Sequence, residues 1–481
     1  MKLLKTTIAR VVGDFAEVDL GDMRLRRRAQ AVVAKLARCP SASLPAALGS
    51  DAAVQGCYRL VNNRSVTFEK LLAGHIEATR KRALQAGRVL VVHDTTECSF
   101  PDLPADEIGY LQSGKAGFLL HPSLVLDGGA WRRPLGVIYA ETLHRTEHSK
   151  RGRRSKASGI QTAKWKDRES QRWWRGMKAS GEALSGCEEV IHVADREGDS
   201  YELLANLLAA SQRFVIRVRA DRRGRRADNP EAEWSTIKTV ASTCQGCMER
   251  DVPLSRRAAK ATARMTGAHL PRKARLARLR FAATRVVIPR PRYLADPVPP
   301  QLELNLVHVT EVNPPPNEPA VEWLLYTTQE IATATDVAAV VDAYRARWTI
   351  EEFNSGLKTG CAYEDREFES RHALLAMLAL SLPVACEVLA LRSHARSTPT
   401  APATEVLSVQ QLHLLGALSQ GNLSARPTAG EALLAVAALG GHLPRNGPPG
   451  WKVLQRGMTL LLAAETGWNA ARSVPRRATK L

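Results

Sequence analysis

Apolar positions recur at helical spacing through residues 1–75. LGDMRLRRRAQAVVAKLARCP passes from Arg24, Arg26, Arg27 and Arg28 into a periodic apolar face. SDAAVQGCYRLVNN and VTFEKLLAGHIEATRKRAL continue the pattern on either side of an Asn62-Asn63 turn. A small helical bundle with a basic face follows, suited to reading DNA or simply to packing on its neighbour. At Arg88 the period changes: RVLVVHD is a short valine-rich run, a buried strand that ends on Asp94. GFLLHPSLVLDGG and WRRPLGVIYAETL, with a turn at Gly128-Gly129 between them, add two strands and make a three-stranded meander. Next come a basic loop (Lys150, Arg151, Arg153, Arg154, Lys156) and a helix through RESQRWWRGMKASGEAL. EEVIHVADREGDSYELLANLLAA then reads as a buried strand, Asp195 at its end, and a helix.

Residues 212–322 look like an insertion of strands and Pro- or Arg-rich loops. From Val252 through Ala295 there is no Asp or Glu but there are twelve Arg or Lys, a flank suited to following a phosphate backbone or to standing in solvent. EWLLYTT resumes the apolar strand pattern, and ATDVAAVVDAYRARWTIEEF reads as one long helix. After the loose segment RSTPTAPATEV, the runs SVQQLHLLGALSQG, AGEALLAVAALGG and WKVLQRGMTLLLAAE predict a helical region over 393–481. These helices are apolar enough to need a partner surface, either a second copy of the chain or their own core. The organisation expected is therefore 1–75, 76–392 with the insertion inside it, and 393–481.

Composition sharpens this picture. A chain of 481 residues with 44% hydrophobic content can bury a large core, and its formal charge of +20 attracts polyanions, nucleic acid first among them. MKLLKTTIARVVGDF has no uninterrupted apolar stretch, so no secretory signal is expected. The most apolar run, Ala376–Cys386, looks too short to span a bilayer and carries Pro383, so a buried helix and no membrane association are expected. Eight cysteines without regular spacing fit a reducing, cytoplasmic compartment, and nucleoid association would follow DNA binding. The pair Cys244 and Cys247 in CQGC, without a second pair, is weak evidence for zinc against two partly buried free thiols.

The chemistry gathers on three acids. Asp94 and Asp195 each end a valine-rich strand, although Asp94 also suits capping, and Asp199 is the likelier helix cap near Asp195. The third acid lies in YRARWTIEEFNSGLK. On one helix, at about 100° per residue, Arg347, Glu351 and Lys358 fall within roughly 60° of Tyr344, while Glu352 lies about 80° away. Trp348, Ile350, Phe353 and Leu357 supply the apolar contacts of this helix. Carboxylates converging at a sheet edge suit Mg²⁺ or Mn²⁺, and a pair of such ions clamps the attacking and leaving oxygens of a phosphoryl displacement. Arg347 offers a bidentate grip on phosphate, Lys358 a point charge, and Tyr344 a donor or a stacking face. A plain ladder of surface ion pairs is the alternative for this set.

Tyr344, Arg347, Glu351 and Lys358 match the Y-(2)-R-(3)-E-(6)-K motif of the DDE transposases of bacterial cut-and-paste elements. Within these the chain resembles the IS-four group, to which the Tn-five transposase belongs. VVHDTTE, VADREGD and RWTIEEF with LKTG resemble the segments that carry the group's three catalytic acids. LGDMRLRRRA and AAVQGCYRLVNN are similar to its amino-terminal DNA-binding module, and LGGHLPRNGPPGW to its carboxy-terminal region. The resemblance implies an α/β fold: an RNase H-like catalytic core with a β-rich insertion, a helical amino-terminal DNA-binding domain and a helical carboxy-terminal domain. It implies Asp94, Asp195 and Glu351 as metal ligands for two Mg²⁺ or Mn²⁺ ions, DNA contacts from Tyr344, Arg347 and Lys358, and a dimeric synapse on transposon ends and target DNA. Trp323 matches the position of a tryptophan that receives a flipped base, or it is a packed core tryptophan. The group's K-E-S before a tryptophan appears as Arg168, Glu169 and Ser170 followed by Trp173. A structure-specific nuclease with the same triad, or a catalytically silent DNA-binding protein, are the alternatives. A glycosidase is disfavoured for want of a sugar-binding aromatic platform.

Overall fold

A computed structural model describes residues 2–129, 132–146, 169–254, 272–316, 318–446 and 448–473. The basic loop Lys150, Arg151, Arg153, Arg154 and Lys156 and the motif residue Arg168 lie outside the described residues. Five helices come first: α1 (Lys2–Gly13), α2 (Met23–Arg38), α3 (Leu44–Leu48), α4 (Asp51–Val61) and α5 (Phe68–Ala86). Position 75 falls inside α5. Then follow β1 (Arg88–His93), β2 (Thr96–Ser99), α6 (Ala105–Ile108), β3 (Gly117–Asp127), β4 (Pro134–Leu143), α7 (Gln171–Ala183), β5 (Glu189–Ala194) and α8 (Tyr201–Ala209). The strand-rich stretch holds β6 (Arg213–Arg217), β7 (Arg223–Arg226), β8 (Ser235–Thr236), α9 (Ile237–Ser242), β9 (Gly246–Leu254), β10 (Arg275–Pro289), β11 (Gln301–Glu311) and β12 (Glu322–Thr327). The chain continues through α10 (Ala334–Ala346), α11 (Trp348–Ser355), α12 (Arg371–Ser397), α13 (Val409–Leu418), α14 (Ala429–Leu439) and α15 (Trp451–Ser473).

The strands join one mixed sheet. β4, β3 and β1 form the expected antiparallel meander, while β5 and β6 run parallel to β1 in the order β4-β3-β1-β5-β6. β12, β11 and β10 extend it antiparallel, with β7 and β9 both pairing with β10. The strand β2 was not anticipated. It pairs with β3 in the same register and along the same edge as β1, so β1 and β2 are one line interrupted at Asp94 and Thr95.

Both faces of the central strands are covered, which explains their unbroken apolar runs. Leu90, Val92, Val193, Val215 and Leu325 face a core shared with α10, α11 and α12, whereas Ala194, Phe214, Ile216 and Tyr326 face α7 and α8. α12 differs from expectation: by length and composition it is apolar enough to cross a membrane, because its apolar stretch runs well beyond Ala376–Cys386. Within this fold 82% of that stretch is buried, so it serves as a central core helix. The carboxy-terminal helices form their own small core. α14 and α15 meet backbone to backbone there, since a Cβ on Gly457 would fall 1.7 Å from the Val436 carbonyl oxygen.

Candidate active site

Parallel pairing sets the two aspartates side by side. Val92 lies opposite Val193, so the same register carried two residues further brings Asp94 level with Asp195, both just beyond their strand ends. Neighbouring strands are about 4.8 Å apart, which puts the two carboxylates within reach of each other. Asp195 turns the chain into a short 3₁₀ turn, where its Oδ1 accepts from the Glu197 N–H at 2.8 Å. Asp199 is not the helix cap. Ser200 caps α8, and Asp199 is buried against Arg222 at 2.7 Å and the Arg219 and Ala220 N–H groups, because its side chain turns toward the loop after β6.

The predicted single helix over Tyr344–Lys358 is three pieces. α10 gives way at Arg347, where i→i−3 hydrogen bonds (Arg347 to Tyr344, Ile350 to Arg347) tighten the turn, and α11 then passes into a π turn over Gly356–Gly360. Tyr344, Arg347 and Glu351 stay together, with Arg347 between the other two, whereas Lys358, inside the π turn, goes to the β2 side. Ile350, Phe353 and Leu357 are buried as expected, but Trp348, just after Arg347, is 56% exposed. Glu352 pairs with Arg392 at 3.3 Å and Arg396 at 3.1 Å. Glu351 instead accepts from Arg347 at 2.5 Å, on the side of Asp94.

Electrostatics ties these groups together. Burial first, then the neighbouring Asp195 and more weakly Glu351, push the Asp94 carboxyl up to about 7, against the pull of Arg347 and the Thr95 N–H. Burial opposes the charge on Arg347, yet Tyr344, Glu351 and Asp94 around it leave its pKa above the usual value. Asn354, one turn after Glu351, donates its amide to Asp94 Oδ2 at 3.4 Å, and its buried Oδ1 has no partner. Among the described residues no three His, Cys, Asp or Glu side chains stand close enough together to hold a metal ion. Arg347 holds Glu351, and one oxygen of Asp195 accepts from the Glu197 N–H.

The remaining predicted residues lie around this centre. Tyr344 is buried, its ring 5.6 Å from that of Trp323 in edge-to-face contact, and the Arg347 guanidinium lies 6.0 Å from the Tyr344 ring. Trp323 on β12 is half-buried. Lys358 leaves the expected row for the β2 side, where it donates to the Glu97 carbonyl and pairs with Glu364 at 3.6 Å. Cys244 and Cys247 are free thiols, each bonded to a different backbone carbonyl. Asn354 escaped the sequence reading, although its i+3 spacing from Glu351 was visible there.

Arg24, Arg26, Arg27 and Arg28 sit far along the chain from these groups, in the opening turns of α2, with Asp22 capping through the Arg24 N–H at 2.7 Å. Cations at a helix N-terminus oppose its dipole by a few tenths of a kcal/mol each, so stability alone does not account for them. Residues 11–66, from the end of α1 to just before α5, match the family model described as transposase DNA-binding. These helices are thus similar to a transposase DNA-binding module, and the match supports a transposase with DNA as its partner.

Proposed function

We propose that this protein is a metal-dependent cut-and-paste transposase of the IS-four kind, which binds the ends of its element, cuts there and joins the freed 3′ ends to target DNA. One observation carries the reading: Asp94 and Asp195 stand level on adjacent parallel strands with Glu351 and Arg347 against them, in a chain that also holds a transposase DNA-binding module. The strand order β4-β3-β1-β5-β6 supports an RNase H-like core.

The residues suit a hard divalent cation. Every donor at the centre is oxygen, burial and then the neighbouring Asp195 push the Asp94 carboxyl up to about 7, and the buried Asn354 Oδ1 lacks a partner. Asp94, Asp195 and Glu351 would hold Mg²⁺ or Mn²⁺, whose chemistry is to activate water or a 3′-hydroxyl and to neutralise the leaving oxygen. Arg347 orients Glu351 and offers its remaining N–H groups to phosphate, while Lys358 positions the strand near β2. Trp323 stands ready for an unstacked base next to Tyr344.

In this reading the first cut frees a 3′-hydroxyl, which attacks the opposite strand to give a hairpin that water reopens. A dimeric synapse brings two ends together, with exposed apolar residues such as Leu434, Leu460 and Trp468 of the carboxy-terminal helices as its surface. The test is incubation of the protein with DNA bearing the element's ends and Mg²⁺, beside Asp195→Ala. Cutting and strand joining by the wild type alone are expected. Cutting that survives the substitution would overturn the assignment of the triad, and cut products without joined strands would favour a nuclease.

A further inference from the structure

We infer that Arg172 is a positioning residue that fixes the two aspartate-bearing turns relative to each other. This rests on the site reading above. Arg172 stands in the first turn of α7 and is 9% exposed. Its Nε donates to Thr95 Oγ1 at 2.7 Å, its Nη2 to Glu197 Oε2 at 2.9 Å, and its Nη1 to the Glu169 carbonyl at 2.9 Å. Thr95 directly follows Asp94. Glu197 gives its own N–H to Asp195 Oδ1 at 2.8 Å. One guanidinium therefore spans the segments that leave both strand ends, with its third prong tied to the turn just before its own helix.

The surroundings hold that fork still. The guanidinium carbon lies 5.8 Å from the Trp173 ring centroid, and Thr95 Oγ1 also bonds His121 Nδ1 at 2.9 Å. The His121 ring meets the Trp173 ring edge-on at 4.8 Å. Two carboxylates that repel each other on unpaired chain would spread, and a rigid planar fork sets a fixed separation where a lysine could not. Burying a cation is costly unless its donors are used, and here two prongs are used on these segments and the third on the Glu169 carbonyl. Outer residues of this kind tune metal affinity because they orient the carboxylates that bind the ion.

The test uses the full chain with Mn²⁺ as the probe, and the variants Arg172→Lys and Thr95→Val. Binding is followed by the spectroscopic signal of free Mn²⁺, and end cutting is followed against metal concentration. Arg172→Lys is expected to weaken Mn²⁺ binding about tenfold and to raise the half-saturating metal for cutting by a similar factor. Affinity for end DNA is expected to stay unchanged. Thr95→Val should act in the same direction, and the double variant should be little worse than the worse single one, because both remove one shared contact. Unchanged Mn²⁺ affinity in both variants, or losses that simply add, would overturn the inference. A lower maximal rate with an unaltered metal requirement would do so too, since it would mark general loosening. A wild type that neither binds Mn²⁺ nor cuts DNA sinks the site reading itself, and the inference with it.

Discussion

Replacing Asp94 by asparagine is expected to stabilise the metal-free protein while abolishing its cutting. In the fold the Asp94 carboxyl titrates at about 7 against an ordinary 3.8, chiefly because it is buried and then because Asp195 lies beside it. A carboxyl raised in this way adds stability that is complete below the unfolded-state value and is lost as pH rises through the folded one. The wild type should therefore lose stability between about pH 4 and pH 7, and an uncharged asparagine should not. At about 1.4 kcal/mol for each unit of pH, the difference reaches roughly 4 kcal/mol above pH 7 as an upper figure and vanishes near pH 4. Titrating groups distant from Asp94 are common to both proteins and cancel in the comparison, whereas Asp195, Glu351 and Arg347 interact with Asp94 and make the figure an upper one. Urea unfolding in EDTA at pH 4.5 and pH 8, followed by tryptophan fluorescence, measures it. Added Mg²⁺ should narrow the gap at pH 8 by stabilising only the wild type. A difference that does not change with pH, or a wild type more stable than Asp94→Asn at pH 8, would refute the account of crowded, uncompensated carboxylates.

Three further outcomes follow from the same structure. Arg24→Ala combined with Arg27→Ala should weaken DNA binding evenly across sequences and lower the log–log salt slope by about two, as measured by fluorescence anisotropy at several salt concentrations. Lys358→Ala should slow end cutting but leave Mn²⁺ binding intact, because Lys358 touches the Glu97 carbonyl and Glu364 and not the three acids; loss of Mn²⁺ binding would count against its role toward phosphate. Burial holds the His121 and His192 imidazoles down at about 3 and about 4, so both are neutral in the fold. The unfolded chain takes up protons near pH 6.5 and the folded one does not, so their contribution is present above pH 6.5 and lost as pH falls toward 4. Asp94 acts in the opposite direction over this range, so His192→Gln should be compared in an Asp94→Asn background, where it is expected to flatten the acid loss of stability.

Sequence patterning carried the two valine-rich strands and their terminal acids well, because a run buried on both faces needs little context to be recognised. Register did the rest, and register is a property of pairing: that Asp94 and Asp195 come level is written in β1 against β5, not in either segment alone. The break at Asp94 was hidden for a related reason, since the four residues of β2 are too few to show a period. The helix over Tyr344–Lys358 failed differently. A uniform 100° step treats every residue as equivalent, whereas the tightened turn at Arg347 and the π turn at Gly356–Gly360 arise where α11 packs against β1 and where Trp451 lies over Gly356 and Gly360.

That irregularity bears on how the site works. An unbroken helix would aim Lys358 along the same line as Glu351 and so bring the phosphate-binding cation over the acids. The two distortions separate them: Glu351 with Arg347 faces the aspartates, and Lys358 is displaced to the end of the interrupted β1–β2 line. A strand of DNA passing from β2 across Asp94 toward Arg347 would then meet a cation, a cluster of acids and a second cation in turn. Local irregularities in helices are tolerated where surrounding packing holds them and where function needs the displaced side chain. Arg172 fits the same logic from beneath, because it fixes the acids that the two cations flank.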